Sequence, residues 1–451
     1  MRRLALLPLI AATYFMVSGG PYGLEDIVGQ AGYARGLLLL CIVPVLWSLP
    51  TALMIGELSS ALPEEGGFYI WVSRALGRFW GFQEAWLSLA ASVFDMAIYP
   101  ALAVAYLTQL DPMLANGHRG VILALAIVVI CVVWNLRGAY SVGQGSLWML
   151  ALFLLPFLGI VVCGLWQIGF KTGAHSFSLT PLAQPMHGSL VTALLFVLWN
   201  YMGWDNASTI AGEVENPQKN YIRAMLGAVA LVTFSYVLPI AVVALTGIPS
   251  STFVTGSWVA TARTLAAGVF GARAASWLAL AVIAGGALTA MAMFNALTLS
   301  YARVPAAMAD DGLLPAALGR RMKNGVPWIS VLACAAGWAL ALNFKLDRLL
   351  ELDISLYGVA LILEFIALAV LRWREPSLAR PFRVPGGILA AIGLGVAPTL
   401  LVFFTIWAAR GDRLTTHMPA VVLGAMIALA GLLLYPLTLV RGRKAMPDVS
   451  A

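Results

Sequence analysis

The chain has 451 residues, of which 61% are hydrophobic and 10% charged. Soluble globular proteins are nearer half apolar and a quarter charged, so this balance excludes a soluble enzyme and a disordered chain alike. The formal net charge of +7 does not point to nucleic acid, because the basic residues are spread between apolar runs instead of gathered on one patch.

A lipid bilayer is the expected setting, and a spanning helix needs about 20 mostly apolar residues. Twelve segments meet that length, near 5–31, 36–61, 78–110, 119–137, 145–169, 188–213, 220–247, 270–303, 326–343, 349–372, 388–409 and 417–440. Met1-Arg2-Arg3 before the first run is a signal-peptide-like start. The run continues through Gly20-Pro21-Tyr22-Gly23 with no small-residue cleavage site, so it is read as a retained helix. The two tails and the loops after the even-numbered segments hold two thirds of the 27 Lys and Arg. They are expected on the cytoplasmic side of a plasma membrane or bacterial inner membrane, with both termini inside.

Two segments are interrupted. Ser18-Gly19-Gly20-Pro21-Tyr22-Gly23 breaks the first, because Pro21 lacks a donor and the glycines permit non-helical angles. Tyr201-Met202-Gly203-Trp204-Asp205-Asn206 breaks the sixth. Backbone freed at membrane depth is tolerated only beside protein or a water-filled cavity. Breaks at matching positions of two five-helix halves point to an inverted-repeat secondary transporter whose substrate sits between them. Cys41, Cys131, Cys163 and Cys334 lie in apolar stretches without ligand spacing and are expected to be buried and unpaired. His118, His175, His187 and His417 are far apart in loops or helix ends. No metal site, cofactor or catalytic residue is expected.

The stretches GPYGLEDIVGQAG (20–32), WSLPTALMIGELSSALPEEGGFYIWV (47–72), FWGFQE (79–84), FDMAIYP (94–100), WDNASTIAGEVENPQKN (204–220), ADDGLLP (309–315), LYGVALILEF (356–365) and RPFRVP (380–385) carry a resemblance. On them the chain resembles the amino acid/polyamine/organocation superfamily, and within it the polyamine uptake transporters described in plants and protists. The resemblance implies an all-α integral membrane protein with the leucine-transporter fold. Its inverted repeats would be 1–169 (helices 1–5) and 170–372 (helices 6–10), followed by peripheral helices 11 and 12 and a tail over 373–451. It also implies secondary transport by alternating access, coupled to protons in the polyamine branch.

Charged groups at membrane depth are costly and face a cavity or a partner, so the carboxylates are the first candidates. Amino acid transporters of the superfamily carry a G-x-G in the first break, whose N–H groups receive the substrate carboxylate. Here the run reads Gly23-Leu24-Glu25, and Glu25 would repel a carboxylate and attract an ammonium. The alternative is a helix-capping carboxylate, and Asp26, about 100° away around the helix, is read as structural. Asp95 has no Lys or Arg within a turn, and Tyr99 lies on the same face. Asp205 occupies the second break. Trp199 matches the superfamily's lid aromatic and Trp204 adds another, either serving as cation–π partner for an amine or as plain core. With Gly19, Gly20 and Tyr22, these residues make the expected substrate site.

Glu57, Glu84 and Glu213 fall near cytoplasmic helix ends, where Glu57 and Glu213 are expected to gate by pairing with Arg74, Lys219 or Arg223. Glu364, deep in helix 10, is the candidate proton carrier. Some plant relatives have an acidic residue where this chain has Asn295, which makes the cavity here less anionic. Segment 145–169 lacks the Lys that replaces sodium in some proton-coupled members, leaving sodium open as coupling ion. The expected function is uptake of polyamines or related organic cations, with an amino acid permease or exchanger as the alternative.

Overall fold

In the computed structural model, which describes residues 3–115, 118–171, 182–344, 346–408 and 420–445, α1 (Leu6–Val17) stops just before Gly20 and Gly23 take φ angles of 67° and 86°. Glycine adopts that conformation without the penalty a Cβ brings. The chain resumes as α2 (Glu25–Val43), bends at Gly32, passes through a π-turn at Pro44–Ser48 and continues as α3 (Leu49–Ala61). A short helix, α4 (Phe68–Leu76), is joined by Gly77 at φ 97° to α5 (Arg78–Leu107). The next two are α6 (Arg119–Asn135) and α7 (Ala139–Lys171).

The later elements repeat these devices. Helix α8 (Leu190–Asn200) ends at Tyr201-Met202-Gly203, and a 3₁₀ helix over Trp204–Glu213 replaces the expected second α half. Short polar side chains bond to the backbone and to α10 there: Thr209 donates to the Asn206 carbonyl at 2.9 Å and Ser300 to Asn206 Oδ1 at 2.7 Å. Then come α9 (Pro217–Leu245), α10 (Trp258–Tyr301, bent at Gly271, φ 82°), α11 (Arg303–Asp310), α12 (Trp328–Leu340), α13 (Leu346–Arg374), α14 (Gly387–Ala408) and α15 (Ala420–Ala445). Helices α4 and α11, and the limb of α10 before Gly271, fall in expected loops; each is too short to register as a spanning run.

Among the described residues, eight helical stretches are long and apolar enough to cross a membrane, with Leu6–Val17, Arg119–Asn135 and Trp328–Leu340 as shorter apolar helices. Helix α5 is central: 72% of its most apolar window is buried, against 22% in α14 and 11% in α15. It packs on α4, α10 and α13, while Leu389, Phe403, Leu433 and Leu437 of the last two helices point outward. Apolar surface this extensive is stable against hydrocarbon, not water. The expectation of four buried cysteines needs correcting: Cys131 and Cys163 are buried, Cys334 is half-buried and Cys41 is exposed. An apolar run on a membrane helix does not say which face meets protein and which meets lipid. All four are free thiols, and His175, Lys345 and His417 lie outside the described residues.

Candidate functional site

The two helix breaks touch. A Cβ on Gly203, whose φ is 89°, would sit 2.4 Å from the Met16 carbonyl oxygen at the end of α1. Beside this contact lies a small cavity lined by Met16 and Val17, Asp95 and Tyr99 of α5, Trp199 through Gly203 apart from Tyr201, Met293 and Tyr301 of α10, and Asp353 and Tyr357 of α13. Among the described residues, no Lys, Arg or His is in that lining.

Helix geometry explains the grouping. On α5, Glu84, Ser88, Asp95 and Tyr99 fall within about 60° of one another at 100° per residue, and on α13 so do Asp353, Tyr357 and Glu364. The cavity meets one end of each stripe. Tyr99 donates to Asp95 Oδ1 at 2.5 Å and Tyr301 to Oδ2 at 3.4 Å. The Tyr99 and Trp199 rings stack with centroids 6.2 Å apart. Tyr357 donates to Asp205 Oδ1 and accepts the Gly203 N–H at 3.0 Å. Asp205 stands directly behind the lining.

The remaining candidates lie elsewhere. Glu25 is fully buried and accepts from the Tyr106 hydroxyl, the Gly23 N–H at 2.7 Å and the Gly256 N–H at 3.0 Å. Asp26 accepts from Thr255. Tyr22 donates to the Val282 carbonyl at 2.8 Å, Gly20 abuts the Phe153 ring, and Gly19 abuts Met293, itself a lining residue. Trp204 is fully buried outside the lining. Asn295 accepts from Asn135 at 2.8 Å.

The expected partners of Glu57 and Glu213 need correcting. Glu57 binds Arg372, Arg380 at 3.3 Å and the Val384 N–H at 2.8 Å. Glu213 binds Arg303, and the Glu213 carbonyl also accepts from the Leu4 N–H at 2.8 Å. Arg74 instead pairs with Glu375, whose carboxyl that guanidinium holds below its ordinary range. Basic residues near in sequence were expected as partners, but the packing of α3 on α13 and of α11 on the 3₁₀ segment brings others closer. Glu84, expected near a helix end, is fully buried.

Asp353, Tyr301 and Tyr357 were missed. A signal for Asp353 existed: Glu84 and Asp95 are separated by the same 11 residues as Asp353 and Glu364, three helical turns in each case. A site of carboxylates and aromatic rings without a basic residue is suited to an organic cation, the carboxylates meeting ammonium and the rings covering methylenes.

The amino acid permease family profile matches residues 10–429. The chain is 32% identical over 406 residues to polyamine transporter RMV1 of Arabidopsis thaliana, covering 89% of this chain and 80% of the relative. It is 33% identical over 435 residues to polyamine transporter PUT1 of Oryza sativa subsp. japonica, covering 96% and 78%. A more distant likeness, 26% over 437 residues and covering 95% and 92%, is to the serine/threonine exchanger SteT of Bacillus subtilis. With helices that are long and apolar enough to span, the chain belongs to the amino acid permease family and is a multi-pass membrane transporter, not an enzyme.

Proposed function

We propose that the protein is a secondary transporter that takes up polyamines or related organic cations by alternating access, coupled to protons, with both termini cytoplasmic in a plasma membrane or bacterial inner membrane. The observation that carries the reading is the cavity in which Asp95 and Asp353 meet Trp199, Tyr99, Tyr301 and Tyr357 with no basic side chain. Burying carboxylates without a counter-charge is costly, and a bound ammonium removes that cost.

The anion-binding end of α2 supports the same reading. Donors at a helix N-terminus receive anions, and here the Gly23 N–H is already bonded to the chain's own Glu25. A substrate carboxylate would have to compete with it. The relatives named polyamine transporters support the substrate class; the likeness to a serine/threonine exchanger supports amino acid exchange as the rival.

The leucine-transporter fold, with repeats at 1–169 and 170–372 and a peripheral part at 373–451, draws support from paired irregularities. Each half has a broken helix, α1/α2 and α8/3₁₀. Each also has a short helix joined to a long one by a glycine at positive φ, Gly77 in one half and Gly271 in the other. In this scheme, Arg303–Glu213 and the Glu57–Arg372–Arg380 group close the cytoplasmic side.

Competition in proteoliposomes tests substrate class. Unlabelled diamines and triamines should displace a labelled diamine, and serine or threonine should not. Displacement by zwitterions alone would replace the amine reading with the exchanger reading. Saturable counterflow separates either carrier from a channel.

A further inference from the structure

We propose that Glu84 and Glu364 form a two-carboxylate proton site, set apart from the substrate cavity and joined to it through Asp205 and Tyr357. The proposal rests on the transporter reading and adds where the coupling proton is held.

Glu84 and Glu364 are both fully buried. Neither oxygen of Glu364 has a hydrogen-bond partner, and Glu84 has one bond, from Ser88 at 2.8 Å to Oε1, with Oε2 unpartnered. They lie on facing stripes of α5 and α13, helices in extensive contact. The stripes run in opposite directions: Asp95 shares the cavity with Asp353, and three turns along, roughly 16 Å at 1.5 Å per residue, Glu84 and Glu364 occupy matching positions.

Among the described residues, the 3₁₀ segment and α4, α8, α13, α14 and α15 present no cation to this pair. On the 3₁₀ segment Asp205 is bonded to Tyr357 of α13. Helices α8 and α14 contain no Asp, Glu, Lys, Arg or His, and Tyr435 of α15 packs on Phe79 and Phe82. On α4, Arg74 is held by Glu375 and Tyr69 bonds to Asp311. Arg372, two turns beyond Glu364, is held by Glu57 of α3.

Two carboxylates in this setting cannot both be ionised, because burial and like charge both oppose it. A proton on the pair removes one charge and supplies an O–H donor for the other oxygens. Protonation moves one proton from water to a carboxylate oxygen, and release returns it to water, with no other bond changed. The closed packing therefore requires the proton, while a conformation that hydrates the pair releases it. Tyr357 links the pair to the cycle, because its hydroxyl is bonded to both Asp205 and the Gly203 N–H of the second break.

The test uses proteoliposomes containing the full chain, labelled 1,4-diaminobutane and a clamped membrane potential. One pH unit sustains about a tenfold accumulation for one coupled proton. Glu364→Gln and Glu84→Gln should each abolish that accumulation and keep counterflow exchange, since an amide imitates the protonated acid. Infrared spectroscopy of the purified protein at neutral pH provides a readout that needs no substrate: a buried carboxylic C=O band present in the wild type and missing in the double variant. If the single variants still accumulate diamine under a pH gradient, or the band persists in a folded double variant, the proton site is wrong. A sodium gradient that drives the wild type when a pH gradient does not would also overturn it. Absent diamine exchange in the wild type counts against the substrate reading alone, and the infrared band then decides the proton site.

Discussion

The Tyr357 hydroxyl bridges Asp205 and the second helix break, donating to Asp205 Oδ1 and accepting the Gly203 N–H at 3.0 Å. Its side chain also lines the cavity, so a ligand that displaces it also loosens the break. Tyr357→Phe preserves the ring and removes both bonds. The expected result is a loss of about 1–3 kcal/mol in stability, together with weaker diamine binding. Thermal unfolding with and without diamine reads both, and wild-type values for both would show the hydroxyl to be idle.

Gly203 should tolerate no side chain. Alanine there pays for a left-handed φ, about 1–2 kcal/mol, and meets a backbone carbonyl that cannot swing aside. Gly203→Ala is therefore expected to lose at least about 2 kcal/mol and most of its transport. Gly212→Ala, in the same 3₁₀ segment with nothing within 4 Å of the added Cβ, should stay within about 0.5 kcal/mol. Equal melting temperatures for the two variants would remove the close contact between the breaks from the argument.

Asp353 and Glu25 should separate binding from stability. Asp353→Asn removes a cavity charge, and losing one charge-assisted contact of about 1.5–3 kcal/mol weakens diamine affinity roughly 10- to 150-fold, with near-normal folding. Glu25→Gln disturbs an acceptor of three hydrogen bonds, so the fall should be in melting temperature, with diamine affinity nearly unchanged. A tenfold weaker dissociation constant at unchanged melting temperature in Glu25→Gln would return Glu25 to the cation site.

Two ion pairs should differ widely in effect. Glu57 is fully buried against Arg372, and Glu57→Gln strands that guanidinium, at a cost of about 3–5 kcal/mol. Arg74–Glu375 is exposed, so Arg74→Ala should cost at most about 1 kcal/mol. Because Glu375 titrates below its ordinary value, its small contribution is present above the unfolded carboxylate range and disappears as pH falls through the lower folded value. Unfolding curves of Arg74→Ala and wild type should therefore converge in acid; divergence there would assign the shift to another group.

Several features were readable without coordinates. The apolar runs, the break at Gly19-Gly20-Pro21 and the Asp95–Tyr99 pair, four residues apart on α5, follow from composition, glycine and proline geometry and helical period. All three are set by neighbours within a turn or two. The second break was also legible, although the Asn206 side chain in its 3₁₀ continuation is held by Ser300, 94 residues away. A helix period shows which residues share a face, but not which other helix that face meets. Only packing decided that Asp353 stands in the cavity with Asp95, that Glu84 and Glu364 are both fully buried and that Glu57 binds Arg372, 315 residues away. The partners of Glu25 were decided the same way: its charge was visible in the chain, but two of its donors, Tyr106 and Gly256, come from segments that only the folded backbone brings to the end of α2. In a bilayer the apolar pattern is alike on lipid-facing and protein-facing sides, so the partner of each buried charge is a property of the tertiary structure.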